Sequence, residues 1–325
     1  MHLEENSFLS AQQSRIPIGI SACLLGEMVR YDGGHKRQRY IETVFGQFFE
    51  FKPFCPEMSI GLGVPREPIR IVLEGPEDNP VQRVVGTKTA DRDVTTPLQE
   101  CAREQQHWVQ DLCGYIFKKD SPSCGMERVK AYRNGQPTRQ GVGLFAQTLM
   151  AANPLLPCEE EGRLNDAVLR ENFIERVYVY HRWRQLLADG LSAGALVDFH
   201  SRHKFILLSH NQKAYRELGR LMANIPKDNL ENFAGDYIAQ VMAVLKIPAS
   251  RKNHINVLQH LQGYLRPHLD HDDKQEMLQA IEYCRVRKGP LTVPRTLLRH
   301  HFRRNPNDYI NRSYYLRPYP DELGL

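Results

Sequence analysis

The 325-residue chain reads as an α/β protein, a Rossmann-like sheet domain followed by an all-α helical domain. Three observations predict this. Strand-like and helix-like segments alternate up to about residue 155, every periodic segment after about residue 165 has helical spacing, and the stretch between them, NPLLPCEEEGRLN, collects Pro, Gly and acidic residues. The expected domains are residues 16–157 and 165–320, and the length allows each a core of its own.

In order along the chain, IPIGISA (16–22) is β-rich and predicts a strand, followed at Cys23 by a loop with the Gly and Asp content of LLGEMVRYDGGHKRQ. YIETVFGQFFE has helical spacing, and FKPF gives a short strand ending at Cys55-Pro56-Glu57. IRIVL (69–73) and VQRVVG (81–86) are strands around the turn EGPEDNP, and residues 95–112 form an amphipathic helix that opens on Thr-Pro. GYIFKK then predicts a strand with DSPSCG as its loop, RVKAY (128–132) another strand and GVGLFAQTLMA (141–151) another helix. Such alternation places chemistry along the carboxyl edge of a sheet. In the second half, six segments of helical periodicity are separated by Gly190, Pro226, Pro248 and Pro267, with no tandem repeat or low-complexity tract.

Composition narrows the class. Hydrophobic residues at 41% and charged residues at 25% are ordinary for a soluble protein, and no run of about 18 apolar residues suggests a membrane partner. The N-terminal leader MHLEENSFLSAQQSRIPIG opens with two glutamates and lacks the basic and apolar regions of a secretory signal, so a cytoplasmic location is expected. A dinucleotide partner is not expected. Residues 161–325 hold 25 Lys and Arg against 18 Asp and Glu, a net +7, whereas residues 1–160 are net −2. That asymmetry points either to a polyanionic partner or to nothing beyond a basic surface.

The seven cysteines are odd in number and irregularly spaced, which in a reducing compartment suits metal binding or catalysis for some and inert burial for others. Cys23 (SACLLG), Cys55 (PFCPE) and Cys124 (SPSCG) each sit in a loop just after a predicted strand, so three thiolates can converge. Their separations match neither a zinc ribbon nor a closely spaced cluster triplet. Three thiolates can hold three irons of a cubane 4Fe-4S cluster and leave the fourth iron open, but buried cysteines also serve as small hydrophobes. Cys101, Cys113, Cys158 and Cys284 read as structural.

SACLLGEMVRYDG (21–33), CPE (55–57), GLGVPREPIR (61–70), KKDSPSCG (118–125) and GVGLFAQ (141–147) together resemble the bacterial 2-thiouracil desulfidase family, over most of residues 16–155. The helical region resembles the domain fused to that one in tRNA 4-thiouridine desulfidases. The resemblance implies a 4Fe-4S cluster with Cys23, Cys55 and Cys124 as ligands, Glu57 as a catalytic acid and Ser121 as an active-site serine. It implies conversion of 4-thiouridine in tRNA to uridine with release of sulfide. Two departures stand out: Val29, where some relatives carry a further cysteine, and Asp120, where a basic residue is frequent.

Asp32, Arg66 and Lys118 are candidate substrate contacts, although an Asp before Gly is first a turn residue and Arg66 could equally hold a structural carboxylate. Residues 285–317 carry nine Lys and Arg and one acid, with Tyr309, Tyr314 and Tyr315 interleaved, a mixture suited to RNA or to a solvated basic helix and tail packed over the first domain through its tyrosines. His200, His203 and His210 are not expected to bind metal. Two alternatives stay open: a desulfidase of free 2-thiouracil or another small thiolated base, and a non-catalytic cluster-bearing RNA-binding regulator.

Overall fold

The computed structural model describes residues 15–89 and 91–323; the first fourteen residues, most of the leader, lie outside them. The chain divides between Arg163 and Leu164 into two compact units. The first is α/β with mixed sheets and the second is helical.

In the first unit, β1 (Ile16–Ser21), β2 (Phe49–Phe54), β5 (Gly114–Phe117) and β8 (Cys158–Glu160) form a parallel sheet in the order β2-β1-β5-β8. β1 and β5 are buried nearly throughout, as parallel strands covered on both faces are, which accounts for their unbroken Ile, Tyr and Phe. Gly19 is required at the centre: a Cβ there would lie 2.3 Å from the Tyr115 ring. Register brings the carboxyl ends level, with Ser21 paired to Phe54, Ile20 to Ile116 and Phe117 to Glu160. The chain leaves β1 outward in one direction to β2 and in the other to β5, so a crevice opens at that edge where the order reverses.

A second sheet, in the order β4-β3-β6-β7, comprises β3 (Ile69–Glu74), β4 (Val81–Gly86), β6 (Val129–Arg133) and β7 (Gln136–Gly141). Ile71, Leu73, Val84, Val129 and Ala131 of this sheet form one apolar cluster with Leu98 of helix α3 (Thr95–Glu104) and Leu144 of helix α5 (Leu144–Ala152).

Three local expectations are corrected. The helical stretch at 40–50 is only α1 (Arg39–Thr43) and a single turn, because Phe49 already enters β2. The helix expected over 95–112 is broken into α3 and α4 (Gln106–Val109). Residues 158–160, expected in the linker for their acidic content, are the strand β8, where Glu159 and Glu160 are buried.

The second unit holds α6 (Ala167–Asp189), α7 (Ala193–His210), α8 (Gln212–Met222), α9 (Leu230–Leu245), α10 (Arg251–Leu265), α11 (His271–Arg285), α12 (Thr292–Arg304) and α13 (Asp308–Asn311). Side chains of Asp166, Ser192, Asn211, Ser250 and Asp270 accept hydrogen bonds from the first free amides of their helices. Phe173, Val177, Phe205, Ile206, Ile238, Leu258 and Leu261 are fully buried between them. Among the described residues no helix is long and apolar enough to cross a membrane.

Candidate active site

A cavity of about 440 Å³ opens at the carboxyl edge of the parallel sheet, bordered by Cys23, Cys55, Cys124, Glu57, Arg66 and Ser123 among others. Cys23 lies in the turn that follows β1, Cys55 directly follows β2, and Cys124 stands in the loop after β5. Three thiols separated by tens of residues thus share one wall because their strands end side by side.

Each thiol is held in place. Cys55 occupies the residue before α2 (Pro56–Ser59), and its thiol donates to Val29 O at 3.9 Å. Cys124 N donates to Ser121 Oγ at 3.1 Å, and the Ser21 hydroxyl at the end of β1 accepts from the Lys118 amide at 3.0 Å. The amides that open α5 turn back on the same loop: Leu144 N donates to Pro122 O at 3.2 Å and Ala146 N to Ser123 O at 3.1 Å. Gly143 allows that approach, since a Cβ there would lie 2.6 Å from Gly125 N. Burial pushes the Cys23 thiol up to about 11, with the neighbouring Cys55 charge adding to the rise. Burial raises Cys55 and Cys124 as well.

Glu57 is fixed through both oxygens. Oε2 accepts from Arg66 Nε at 3.0 Å and Nη2 at 2.6 Å, and Oε1 accepts from Ser123 Oγ at 2.6 Å. Ser121 Oγ in turn lies 2.9 Å from Ser123 Oγ and, with the Ser123 proton on Glu57, donates to it. Ser121 also accepts from the amides of Ser123, at 3.3 Å, and Cys124, at 3.1 Å, shaping the loop. Ser123 Oγ is 3.7 Å from Cys124 Sγ. A line of hydroxyls therefore runs from Ser121 through Ser123 to Glu57 beside two of the three thiols.

The remaining predicted contacts fall in different places. Arg66 borders the cavity, but its guanidinium is committed to Glu57, to Gly63 O at 2.7 Å and to Val29 O at 2.9 Å, the structural-carboxylate alternative. Lys118 also borders it, with its ammonium paired to the buried Glu161. Asp32 is exposed and outside the cavity lining; its carboxylate accepts from Gly34 N at 3.1 Å and pairs with Arg30 at 3.5 Å, closing its own turn. Ser123, the buried link between Glu57 and Ser121, was not singled out in the sequence. Its only signal was a second serine in SPSCG.

The donor set fits a polynuclear iron-sulfur group. Among the described residues no three His, Cys, Asp or Glu side chains are grouped closely enough to hold a single metal ion. In a cubane each thiolate grips a different iron, which calls for wider spacing around a shared hollow. Three thiols and no fourth border this one.

Comparison with known proteins supplies the family. The 2-thiouracil desulfurase family model matches residues 18–161, the span of the sheet unit and its cavity. The chain belongs to the 2-thiouracil desulfurase family. A second family, described as a protein of unknown function, DUF1722, matches residues 204–320 in the helical unit. The uncharacterized protein YbgA of Escherichia coli strain K12 is 34% identical over 151 residues, 46% of this chain and 89% of that protein. The uncharacterized protein YbbK of Bacillus subtilis strain 168 is 31% identical over 151 residues, 45% of this chain and 97% of that protein. A solved structure described as a 4Fe-4S-dependent thiouracil desulfidase, TudS, shares 28% identity over 46% of this chain and 94% of that one, with a TM-score of 0.36.

In the helical unit the tail proves to be packed. Tyr315 is buried, with the Arg295 guanidinium 5.0 Å above its ring and His254 hydrogen-bonded to its hydroxyl at 3.0 Å. Arg182 lies 3.6 Å over Tyr314, and Lys204 lies 4.3 Å over Tyr309. The three tyrosines are used in folding this unit, and His203 Nδ1 donates within it to Phe199 O at 2.7 Å. Arg287, Lys288, Arg303, Arg304 and Arg317 remain exposed.

Proposed function

We propose that the protein is a desulfidase that exchanges the sulfur of a thiolated uracil for oxygen, with 4-thiouridine in tRNA as substrate and a 4Fe-4S cluster as cofactor. The meeting of Cys23, Cys55 and Cys124 with Glu57 on one cavity is the observation that carries the reading. Held by three thiolates, such a cluster keeps one iron free of protein ligands and supplies a Lewis acid with affinity for sulfur.

The chain's own residues account for the protons. Water adds its oxygen to the ring carbon, and the sulfur leaves as hydrogen sulfide, so two protons must travel from water to sulfur. Glu57, pinned by Arg66 on one oxygen, takes the proton that water loses as the new bond forms and returns it later. Ser123 keeps the other oxygen oriented, and Ser121 extends the line toward the cavity. Lys36 and Lys119 border the same cavity as cations for a phosphate or ribose.

The net positive charge of residues 161–325 and the exposed Arg303 and Arg304 support a nucleic-acid substrate. A second reading, turnover of free 2-thiouracil or a similar small base, is favoured by the packing of Tyr309, Tyr314 and Tyr315, which removes the stacking surface expected of the tail. The two are separated by loading the chain anaerobically with iron and sulfide and following the loss of thiocarbonyl ultraviolet absorbance. Loss from bulk tRNA supports the first; loss from free 2-thiouracil with tRNA untouched refutes it.

A further inference from the structure

We infer that Glu160 and Glu161, at the end of the edge strand β8, are positioning residues that clamp both stems of the loop carrying Ser121, Ser123 and Cys124. This deepens the reading above and rests on it for what the loop is for; the clamp itself stands on the geometry.

Three consecutive carboxylates, Glu159, Glu160 and Glu161, are each only 5% exposed. Charges removed from water must be matched, and each of these is matched differently. Glu159 stays local, accepting from Arg163 Nε at 2.6 Å. Glu161 reaches the stem that leaves β5: Oε2 accepts from Lys119 N at 2.6 Å and Oε1 pairs with the Lys118 ammonium. Glu160 reaches the returning stem, where Oε1 accepts from Met126 N at 2.7 Å. Gly162 follows without a side chain, and a Cβ there would lie 2.4 Å from the Lys119 side chain.

The loop needs such holding. Asp120 and Arg128 near its two ends have positive φ, 57° and 54°, a conformation that side-chain-bearing residues adopt only when their surroundings impose it. Between them Cys124 is held by its amide on Ser121 Oγ and the loop by the first amides of α5. The clamp completes the frame on the third side, so that the position of Cys124 and of the Ser123 hydroxyl on Glu57 is set by residues over thirty positions downstream.

The test uses the full-length chain and reads thiol protection before any cluster is loaded. Glu160→Ala and Glu161→Ala should each raise the labelling rate of Cys124 by a maleimide about tenfold or more, mapped by peptide mass spectrometry, because a charge-assisted hydrogen bond closing the loop is lost. Cys101, Cys113 and Cys284 should label as before. Glu161→Gln, which keeps an acceptor for the Lys119 amide, should recover part of the protection, and Glu159→Ala, whose carboxylate accepts from Arg163 and the Glu160 amide, should leave Cys124 protected. After anaerobic loading, the two clamp variants should lose the iron-sulfur absorbance to a chelator about tenfold faster than the parent. Unchanged labelling of Cys124 overturns the clamp, as does an equal rise at Cys113, or a rise in Glu159→Ala matching that in Glu161→Ala. A parent chain that takes up no cluster refutes the proposed function, while the labelling result still decides the clamp.

Discussion

Replacing Arg66 by Met tests the frame around Glu57 most severely. The Arg66 side chain is 3% exposed and that of Glu57 13%, and two of the guanidinium nitrogens meet one carboxylate oxygen at 3.0 and 2.6 Å. Removing one partner of a buried, hydrogen-bonded ion pair leaves an uncompensated charge, which typically costs about 3–5 kcal/mol. The carbonyls of Gly63 and Val29 lose their donors in the same change. At about 1.4 kcal/mol per decade, the slowest amides of β1 and β5 should exchange roughly two to four orders of magnitude faster in Arg66→Met, read by hydrogen-exchange mass spectrometry. Those strands report the sheet unit alone, which avoids treating the two-unit chain as one transition. The double variant Arg66→Met/Glu57→Gln removes both charges and should recover at least half of the lost protection. Strictly additive losses would show that the pair does not act as a unit and would refute the reasoning.

Glu57→Gln and Ser123→Ala should each bind iron and sulfide as the parent does and lose at least about a hundredfold in turnover, the usual range for a positioned acid-base group; loss of the chromophore in either would count against their placement beside the thiols rather than on the metal. Gly143→Ala drives a Cβ to 2.6 Å from Gly125 N and 2.7 Å from Cys124 N, so it should displace the Cys124 loop and abolish cluster uptake, with normal uptake as the contrary result. Acid should unfold the helical unit early. Burial holds the His203 and His254 imidazoles well below the ordinary value and His200 down to about 4. The unfolded chain therefore takes up protons first, so stability is complete above about pH 6.5 and declines as pH falls toward 4, by up to about 3 kcal/mol from His200 alone. Far-ultraviolet circular dichroism during urea melts at pH 7 and pH 5 checks this, and equal midpoints for the helical unit would contradict it.

The fold was legible where periodicity is local. Short β-rich or aromatic runs bounded by turn residues marked the strands, and the breakers between amphipathic segments marked the helices, because both signals lie within a dozen residues. Cys23, Cys55 and Cys124 were readable for the same reason: each follows a strand, and parallel strands end together. What escaped depends on partners remote in sequence. Glu160 and Glu161 looked like linker, since what meets them is the Met126 amide, Lys118 and the Lys119 amide. Ser123 and Ser121 are indistinguishable in SPSCG until the loop turns one of them to Glu57. The tail tyrosines looked available for RNA because nothing local shows that Arg182, Lys204 and Arg295 lie over their rings.

Iron and acid-labile sulfide content after anaerobic loading, measured for the parent and for Cys23→Ala, Cys55→Ala and Cys124→Ala, bears most directly on the central claim. About four irons per parent chain are expected, with a sharp loss in all three variants. Parent-like iron in any one of them, or a single tightly held ion in the parent, would contradict it.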